Sequence, residues 1–174
     1  MQLERITRDS LLFDGVKQIY ESSFPPEEKR ELNQLLFDKK NYSLLAAVED
    51  QVVGFISVWD LGDFVFIEHC AVRKELRVQG VETQVLAEFL NSHKFVILEV
   101  EIPKTEEQYI RTKFYEKIGF KLNLYSYLQP SYGPGKPVVH LHLMSYPEAL
   151  SERDFEAIRK KIHKTVYDLR ESLM

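Results

Sequence analysis

A mixed α/β (α+β) fold, one central sheet flanked by helices, is what the sequence predicts, and three observations predict it. Residues 64–90 (FVFIEHCAVRKELRVQGVETQVLAEFL) begin as an apolar run rich in β-branched and aromatic residues. A charged turn with one glycine then leads into apolar residues at helical spacing. A second buried-type run, FVILEV at 95–100, follows, and strand, helix, strand over about 35 residues argues for a parallel pair with a right-handed crossover. Before these, residues 42–49 and 51–59 are β-type runs with a short polar break between them, which predicts a hairpin.

Composition sets the bounds. With 174 residues, 44% of them hydrophobic, the chain suits one domain with at most a terminal extension. The net charge of −4 and the lack of a dense basic block argue against nucleic-acid binding. A lone cysteine, Cys70, cannot form an internal disulfide, and a reducing compartment is expected. No apolar run approaches about 18 residues, and the opening MQLERITRDS is charged with no apolar stretch after it. Neither a membrane span nor a signal peptide is therefore expected, and the predicted location is cytoplasmic.

The elements follow in order. Residues 3–8 alternate well enough for a first strand, with Asp9 or Ser10 placed to cap the next helix. Leu11, Leu12, Val16, Ile19 and Tyr20 repeat at helical spacing as far as Ser22, and Phe24-Pro25-Pro26 breaks the pattern. Pro26-Glu27-Glu28 then reads as the start of a second helix carrying Leu32, Leu35, Leu36 and Phe37, because proline and carboxylates favour a first turn. Leu61-Gly62-Asp63 is the turn into the strand of residues 64–72. Beyond it Val81, Val85, Leu86, Phe89 and Leu90 mark one face of a helix that opens at Gly80. Thr105 is placed to cap a further helix bearing Ile110, Phe114, Tyr115 and Ile118, and Gly119 to end it. Residues 121–128 and 138–144 read as paired strands joined by the turn-rich 129–137. From Ser151 onward Phe155, Ile158, Ile162, Val166 and Leu169 share a helical face, expected to pack on the sheet or on another subunit. The predicted division is a main domain at 1–147 and a helical extension at 148–174.

Strand, basic turn with a glycine, helix makes an anion site. The first amides of a helix lack intrahelical partners and lie at the positive end of its dipole. Gly80 allows close approach, and Arg73, Lys74 and Arg77 add charge. The turn Arg77-Val78-Gln79-Gly80-Val81-Glu82 resembles the acetyl-CoA pyrophosphate loop of the GNAT (Gcn5-related N-acetyltransferase) superfamily. That loop reads Gln/Arg, two residues, Gly, one residue, Gly/Ala, a few residues after a strand ending in an Ala-Val-like pair. Arg77, Gly80 and the distance from Val72 fit. Glu82 departs from the pattern, and a carboxylate there repels a diphosphate unless it points away. Taken by itself the turn is equally an ordinary β-to-α turn with a solvated charge cluster.

Further stretches carry the resemblance. Phe114-Tyr115-Glu116-Lys117-Ile118-Gly119-Phe120 is similar to the superfamily's second signature, and Leu98-Glu99-Val100 to the strand before it. Phe24-Pro25-Pro26-Glu27-Glu28, Tyr127-Leu128-Gln129-Pro130 and Leu143-Met144 resemble a group of bacterial GNAT proteins. The element order β-α-α-β-β-β-α-β-α-β-β is the GNAT order over roughly 145 residues, with the final helix as an addition. The resemblance implies a GNAT fold whose sheet splays between strands 4 and 5, with acetyl-CoA as acyl donor and no metal. It implies that Cys70, Ala71 and Val72 pair with the pantetheine arm, and that the amides of Arg77, Val78, Gln79, Gly80, Val81, Glu82 and Thr83 take the diphosphate.

The activity so implied is acetyl transfer to a primary amine, on a small molecule or a protein, by direct attack through a tetrahedral intermediate. Such a site accepts a proton from the nucleophile, stabilises an oxyanion and returns a proton to the thiolate. The resemblance puts Tyr115 near the thioester sulfur as the acid, its phenol having a pKa of about 10; filling the core beside Phe114 is the other reading. Two carboxylates compete for the base. Glu68 interrupts an apolar strand, where burial is costly without a partner or a cleft. Glu99 stands in the Leu-Glu-Val position that carries the base in the ribosomal-protein alanine acetyltransferases that this stretch resembles. A salt bridge or a solvent-facing position is open for each, and so is proton relay by water. His69 neighbours Glu68, but strand alternation points it to the other face. His140 and His142 share a face without a third ligand at suitable spacing, so no metal site is expected. Cys70, inside an apolar strand, is expected to be inert.

The acceptor is expected between the early helices and the late loop. Glu21, Glu27, Glu28 and Glu31 favour a cationic amine there, or else complement a helix dipole. The loop of residues 125–137, rich in Tyr, Pro and Gly, has the character of a binding lip. Expected partners are the amine alone, with no nucleic acid or membrane, and the chain is expected to be a monomer or homodimer. The alternative function is a GNAT-fold regulatory or interaction protein that binds CoA weakly or not at all, and Glu82 is the residue that favours it.

Overall fold

In the computed structural model, which describes residues 1–170, the apolar runs become strands and the spaced apolar residues become helices. They fall into two units, Met1–Asp60 with Ile67–His93, and Leu61–Phe66 with Lys94 onward. Residues 171–174 of the expected extension lie outside the described residues.

The first unit holds β1 (Gln2–Arg5), α1 (Phe13–Ser23), α2 (Leu32–Asp38), β2 (Tyr42–Val48), β3 (Val52–Asp60), most of β4 (Val65–Val72) and α3 (Val81–Asn91). Its strands lie in the order β1-β2-β3-β4, and β2 is antiparallel to both β1 and β3. Every residue of β3 from Val52 to Trp59 is buried, which is why it reads as a continuous apolar run rather than an alternating one. Helices α1 and α3 both pack on β3, α1 through Val16, Ile19 and Tyr20 and α3 through Val85, Leu86 and Phe89.

The early helices differ from expectation. Pro26–Glu28 forms a short 3₁₀ turn, and α2 starts afresh at Leu32, because the backbone of Lys29 and Glu31 is extended (ψ 150° and 95°). This leaves Lys29, Arg30 and Glu31 as an irregular linker. Leu32 and Leu35 are buried as expected, whereas Phe37 stays exposed beneath the Arg8 guanidinium. Helix α1 likewise begins at Phe13, one turn after Ser10, whose hydroxyl accepts the Leu12 amide; Leu11 lies almost fully in solvent.

In the second unit β4 opens alongside β5 (Val96–Glu101) as a parallel neighbour, and the Val65 amide donates to Phe95 O at 3.0 Å. Next come α4 (Glu106–Ile118), β6 (Lys121–Gln129), β7 (Val139–Tyr146) and α5 (Glu152–Thr165). The strand order is β5-β7-β6, with both pairings antiparallel and an irregularity in β6 between Asn123 and Tyr127. Thr105 caps α4 in a reciprocal box with Gln108, and Gly119 ends it in the left-handed conformation (φ 118°). Phe155, Ile158 and Ile162 bury the inner face of α5, which packs on β6.

Candidate active site

In the first unit, the end of β4 and the start of α3 carry the residues expected to hold an acyl donor. Cys70, Ala71 and Val72 are buried, and Gly54 of β3 lies against them. A Cβ at Gly54 would stand 2.9 Å from the Ala71 carbonyl oxygen and 2.9 Å from Val72 Cγ1, so only glycine allows this approach. Arg73 is tied to β3, its amide donating to Val53 O at 2.9 Å and its Nε to Val52 O at 2.5 Å, so it anchors the chain instead of lending charge to the turn.

The turn itself leaves backbone donors open. Gly80, at φ 75°, is the N-cap of α3, and no side chain caps the helix. Among the described residues the amides of Val78, Gly80, Val81 and Thr83 have no acceptor. Those of Arg77 and Gln79 are used within the turn, by Lys74 O at 3.4 Å and Leu76 O at 3.1 Å. A Cβ built on Gly80 meets nothing within 4 Å, so the approach to these amides is unobstructed. Open donors at the positive end of a helix fit an anionic group such as a diphosphate. Arg77 is exposed and donates from Nη2 to Ser23 Oγ at 3.1 Å, while Lys74 is exposed at the same turn. One oxygen of Glu82, Oε1, is buried.

Upstream on β4, Glu68 has a fully buried side chain. Its Oε1 accepts from Arg30 Nη1 at 2.7 Å and its Oε2 from the Trp59 indole N–H at 2.9 Å. The Arg30 guanidinium also lies 5.5 Å from the centre of the Trp59 ring. Tyr42, opposite Trp59 in register and in edge contact with it, buries a hydroxyl that finds no hydrogen-bond partner of ordinary geometry; burial pushes this phenol well above its usual range. The His69 ring packs against Tyr20 and Phe24, which also meet Phe55 on the face of β3 that carries Trp59. The expected opposite facing of Glu68 and His69 therefore does not hold; His69 Nε2 donates to Glu28 O at 2.9 Å. Burial lowers its pKa and favours the neutral ring. Ser57 accepts the His69 amide at 3.0 Å. Glu68 and His69 thus hold different residues of one segment, Arg30 and Glu28.

The second unit carries the other candidates. Tyr115 is buried on α4 against Phe114 and Phe120, and its hydroxyl oxygen accepts from Arg111 Nη2 at 3.2 Å. Accepting that bond uses a lone pair and not the hydroxyl hydrogen. Glu99, on β5, takes donors on both oxygens. Tyr127 donates to Oε1, Gln129 to Oε2 at 2.6 Å, and the Tyr167 hydroxyl lies 3.0 and 2.9 Å from the two. Burial, followed by the charge of Glu99, pushes the Tyr127 phenol well above its usual range. His140 is exposed and His142 half-buried, and among the described residues no three His, Cys, Asp or Glu side chains gather as a metal site.

Sequence reasoning missed Arg30, Trp59, Gly54, Gln129 and Tyr167. One signal was present: a carboxylate in an apolar strand demands a cationic or donor partner. Which arginine and which indole supply it depends on contacts across 38 and 9 residues of chain, respectively.

Comparison with known proteins accords with this geometry. The family model described as the acetyltransferase (GNAT) family matches residues 11–120. A solved structure of a protein assigned to the GNAT family of acetyltransferases, from Bacteroides thetaiotaomicron, is 32% identical with a TM-score of 0.92, covering 98% of this chain and 100% of that one. The ribosomal-protein-S18-alanine N-acetyltransferase of Escherichia coli shares the fold at 13% identity (TM-score 0.61, covering 88% and 97%). An aminoglycoside 6'-N-acetyltransferase solved with coenzyme A shares it at 16% identity (TM-score 0.56, covering 87% and 100%). No curated protein matched the sequence. By the reach of the family model and by its identity to the Bacteroides protein, the chain belongs to the GNAT family of acetyltransferases.

Proposed function

We propose that the protein transfers an acetyl group from acetyl-CoA to a primary amine, and one observation carries this reading: the uncapped amides at the start of α3, with open space before Gly80. Val78, Gly80, Val81 and Thr83 would hold the diphosphate with Arg77 and Lys74 beside it, and the backbone of Cys70 to Val72 would pair with the pantetheine arm. We take residues 1–147 as the transferase core, with the α5 segment as an addition, in a cytoplasmic protein.

In the reaction the amine nitrogen bonds to the thioester carbon, the carbon–sulfur bond breaks, and the sulfur leaves as thiolate. Tyr115 supplies the proton the thiolate takes up, a role supported by its place in the second signature. We assign neither candidate carboxylate as the base. Glu68 and Glu99 each accept donors on both oxygens, and a carboxylate so satisfied is a weak proton acceptor. The ammonium instead loses its proton to water before attack. The competing reading is a non-catalytic module, and Glu82 is the residue that favours it.

The test is thiol release from acetyl-CoA with a panel of primary amines, products identified by mass spectrometry. Acetylated amine with equimolar free CoA is the expected result. CoA binding without any acetylated product would leave the non-catalytic module as the better reading.

A further inference from the structure

We propose that the second unit carries a small-molecule site of its own beside α5, and that its ligand is an organic cation with an apolar body. None of its residues belongs to the proposed transfer site, so it does not depend on the acetyltransferase reading.

A cavity of about 330 Å³ opens there, a volume at the lower end of small-ligand pockets, about 300–1,000 Å³. Helical spacing leaves room for it. Asp154, Ala157, Ile158 and Lys161 of α5 stand at i, i+3, i+4 and i+7, one stripe of the helix, and the stripe has its smallest side chain, Ala157, in the middle. Phe64 and Phe95, just before β4 and β5, meet in an edge contact at 6.4 Å and line the cavity with Ile158 and Leu150. The remaining wall, residues 148–150 after β7, is fixed by two buried side chains. Asn123 Oδ1 accepts the Leu150 amide at 2.8 Å, and Ser145 Oγ donates to Glu148 O at 2.6 Å. The cavity is therefore built into the fold, and a ligand entering it orders no loop.

Charge selects the ligand. Three carboxylates, Asp63, Glu148 and Asp154, and one ammonium, Lys161, line the same cavity. Lys161 pairs with Asp63 at 3.2 Å, and Asp154 accepts from the Ser151 hydroxyl at 2.7 Å. Among the described residues Glu148 keeps a carboxylate with no hydrogen bond or ion pair. Negative charge is thus in surplus around an aromatic and aliphatic floor. An anion is repelled there, an uncharged ligand gains only the apolar contact, and a cation with an aromatic body gains both.

Benzyltrimethylammonium, benzyl alcohol and phenylacetate, which share an aromatic ring and differ in charge, are titrated into the unmodified protein and followed by amide NMR shifts. The ammonium has no N–H and cannot be acetylated, so turnover does not disturb the titration. Saturable shifts at residues 148–150 and 154–161 are expected, with the cation at least about five-fold tighter than the alcohol and phenylacetate weakest. Ala157 is exposed on the helix, so Ala157→Leu fills the cavity without disturbing the core and is expected to abolish the shifts. Glu148→Gln is expected to weaken the cation about three-fold and leave the alcohol unchanged. No saturable shift at these residues, benzyl alcohol or phenylacetate binding as tightly as the cation, or undiminished binding to Ala157→Leu overturns the site. Should that variant not fold, the charge series on the unmodified protein decides.

Discussion

Tyr115 is proposed as the acid, so Tyr115→Phe should lower kcat by about 100-fold while leaving acetyl-CoA affinity within about three-fold, since the ring and its packing remain. Single-turnover kinetics with a saturating amine separates the two, and an unchanged kcat would remove Tyr115 from the chemistry. Glu99 is assigned a structural role. Glu99→Gln leaves Tyr127, Gln129 and Tyr167 with a poorer acceptor and should cost about 1–3 kcal/mol of stability, with turnover nearly unchanged. Because the amine is taken to deprotonate in water, log kcat/KM should rise with unit slope as pH increases until the amine's own pKa is reached. A plateau near neutrality that Glu99→Gln abolishes would restore Glu99 as a base. These residues show how far a sequence can be read at this scale. Glu68 and Glu99 stand out as carboxylates in apolar strands, and Tyr115 stands out by its motif. Their partners Arg30, Trp59, Gln129 and Tyr167 do not, because each arrives from a distant part of the chain and follows no period.

At the scale of elements, the start of α3 depends on Gly80 twice: for a positive φ, and for the space a diphosphate would enter. Gly80→Ala should cost about 1 kcal/mol from the left-handed backbone alone and weaken acetyl-CoA binding by at least about ten-fold, as calorimetric titration would show. Lost stability with unchanged affinity would mean that the ligand does not approach this backbone. Gly54 makes a separate demand. Its Cβ would meet backbone, not a flexible side chain, so Gly54→Ala should destabilise by about 1–3 kcal/mol in urea melts. The strand-turn-helix unit around Gly80 was legible because its apolar period changes at the turn and its glycine sits between the two. The early helices were legible only in part. Proline and two carboxylates at 26–28 read as a helix start, yet the chain makes one 3₁₀ turn and then an extended linker, which lets Arg30 reach Glu68. That tertiary ion pair outweighs the local preference.

For the whole molecule, buried neutral histidines set a dependence of stability on pH. Burial holds both His69 and His163 below the ordinary histidine value of about 6.5. Above that value both rings are neutral folded or unfolded and contribute no slope. As pH falls through it the unfolded chain takes up protons that the folded chain refuses, so stability falls, by at most about 1.4 kcal/mol per pH unit for each ring. Urea midpoints between about pH 7 and about pH 5 should record the fall, and His69→Gln should make it shallower. The family and the mixed sheet were readable from the sequence because long apolar runs and helical spacing survive averaging over many residues. The edges of elements and the cross-strand ion pair were not, since single contacts decide them.

Acetyl-CoA binding at the start of α3 is the most direct test of the proposed cradle. Thermal melts of the unmodified protein with ligand at about 100 times its dissociation constant should show about 2.7 kcal/mol of added stability, a rise in Tm of about 5–10 °C. Gly80→Ala at the same concentration should lose most of that rise. No shift of the unmodified protein with millimolar acetyl-CoA, or a shift identical in Gly80→Ala, would contradict the cradle on which the proposed function rests.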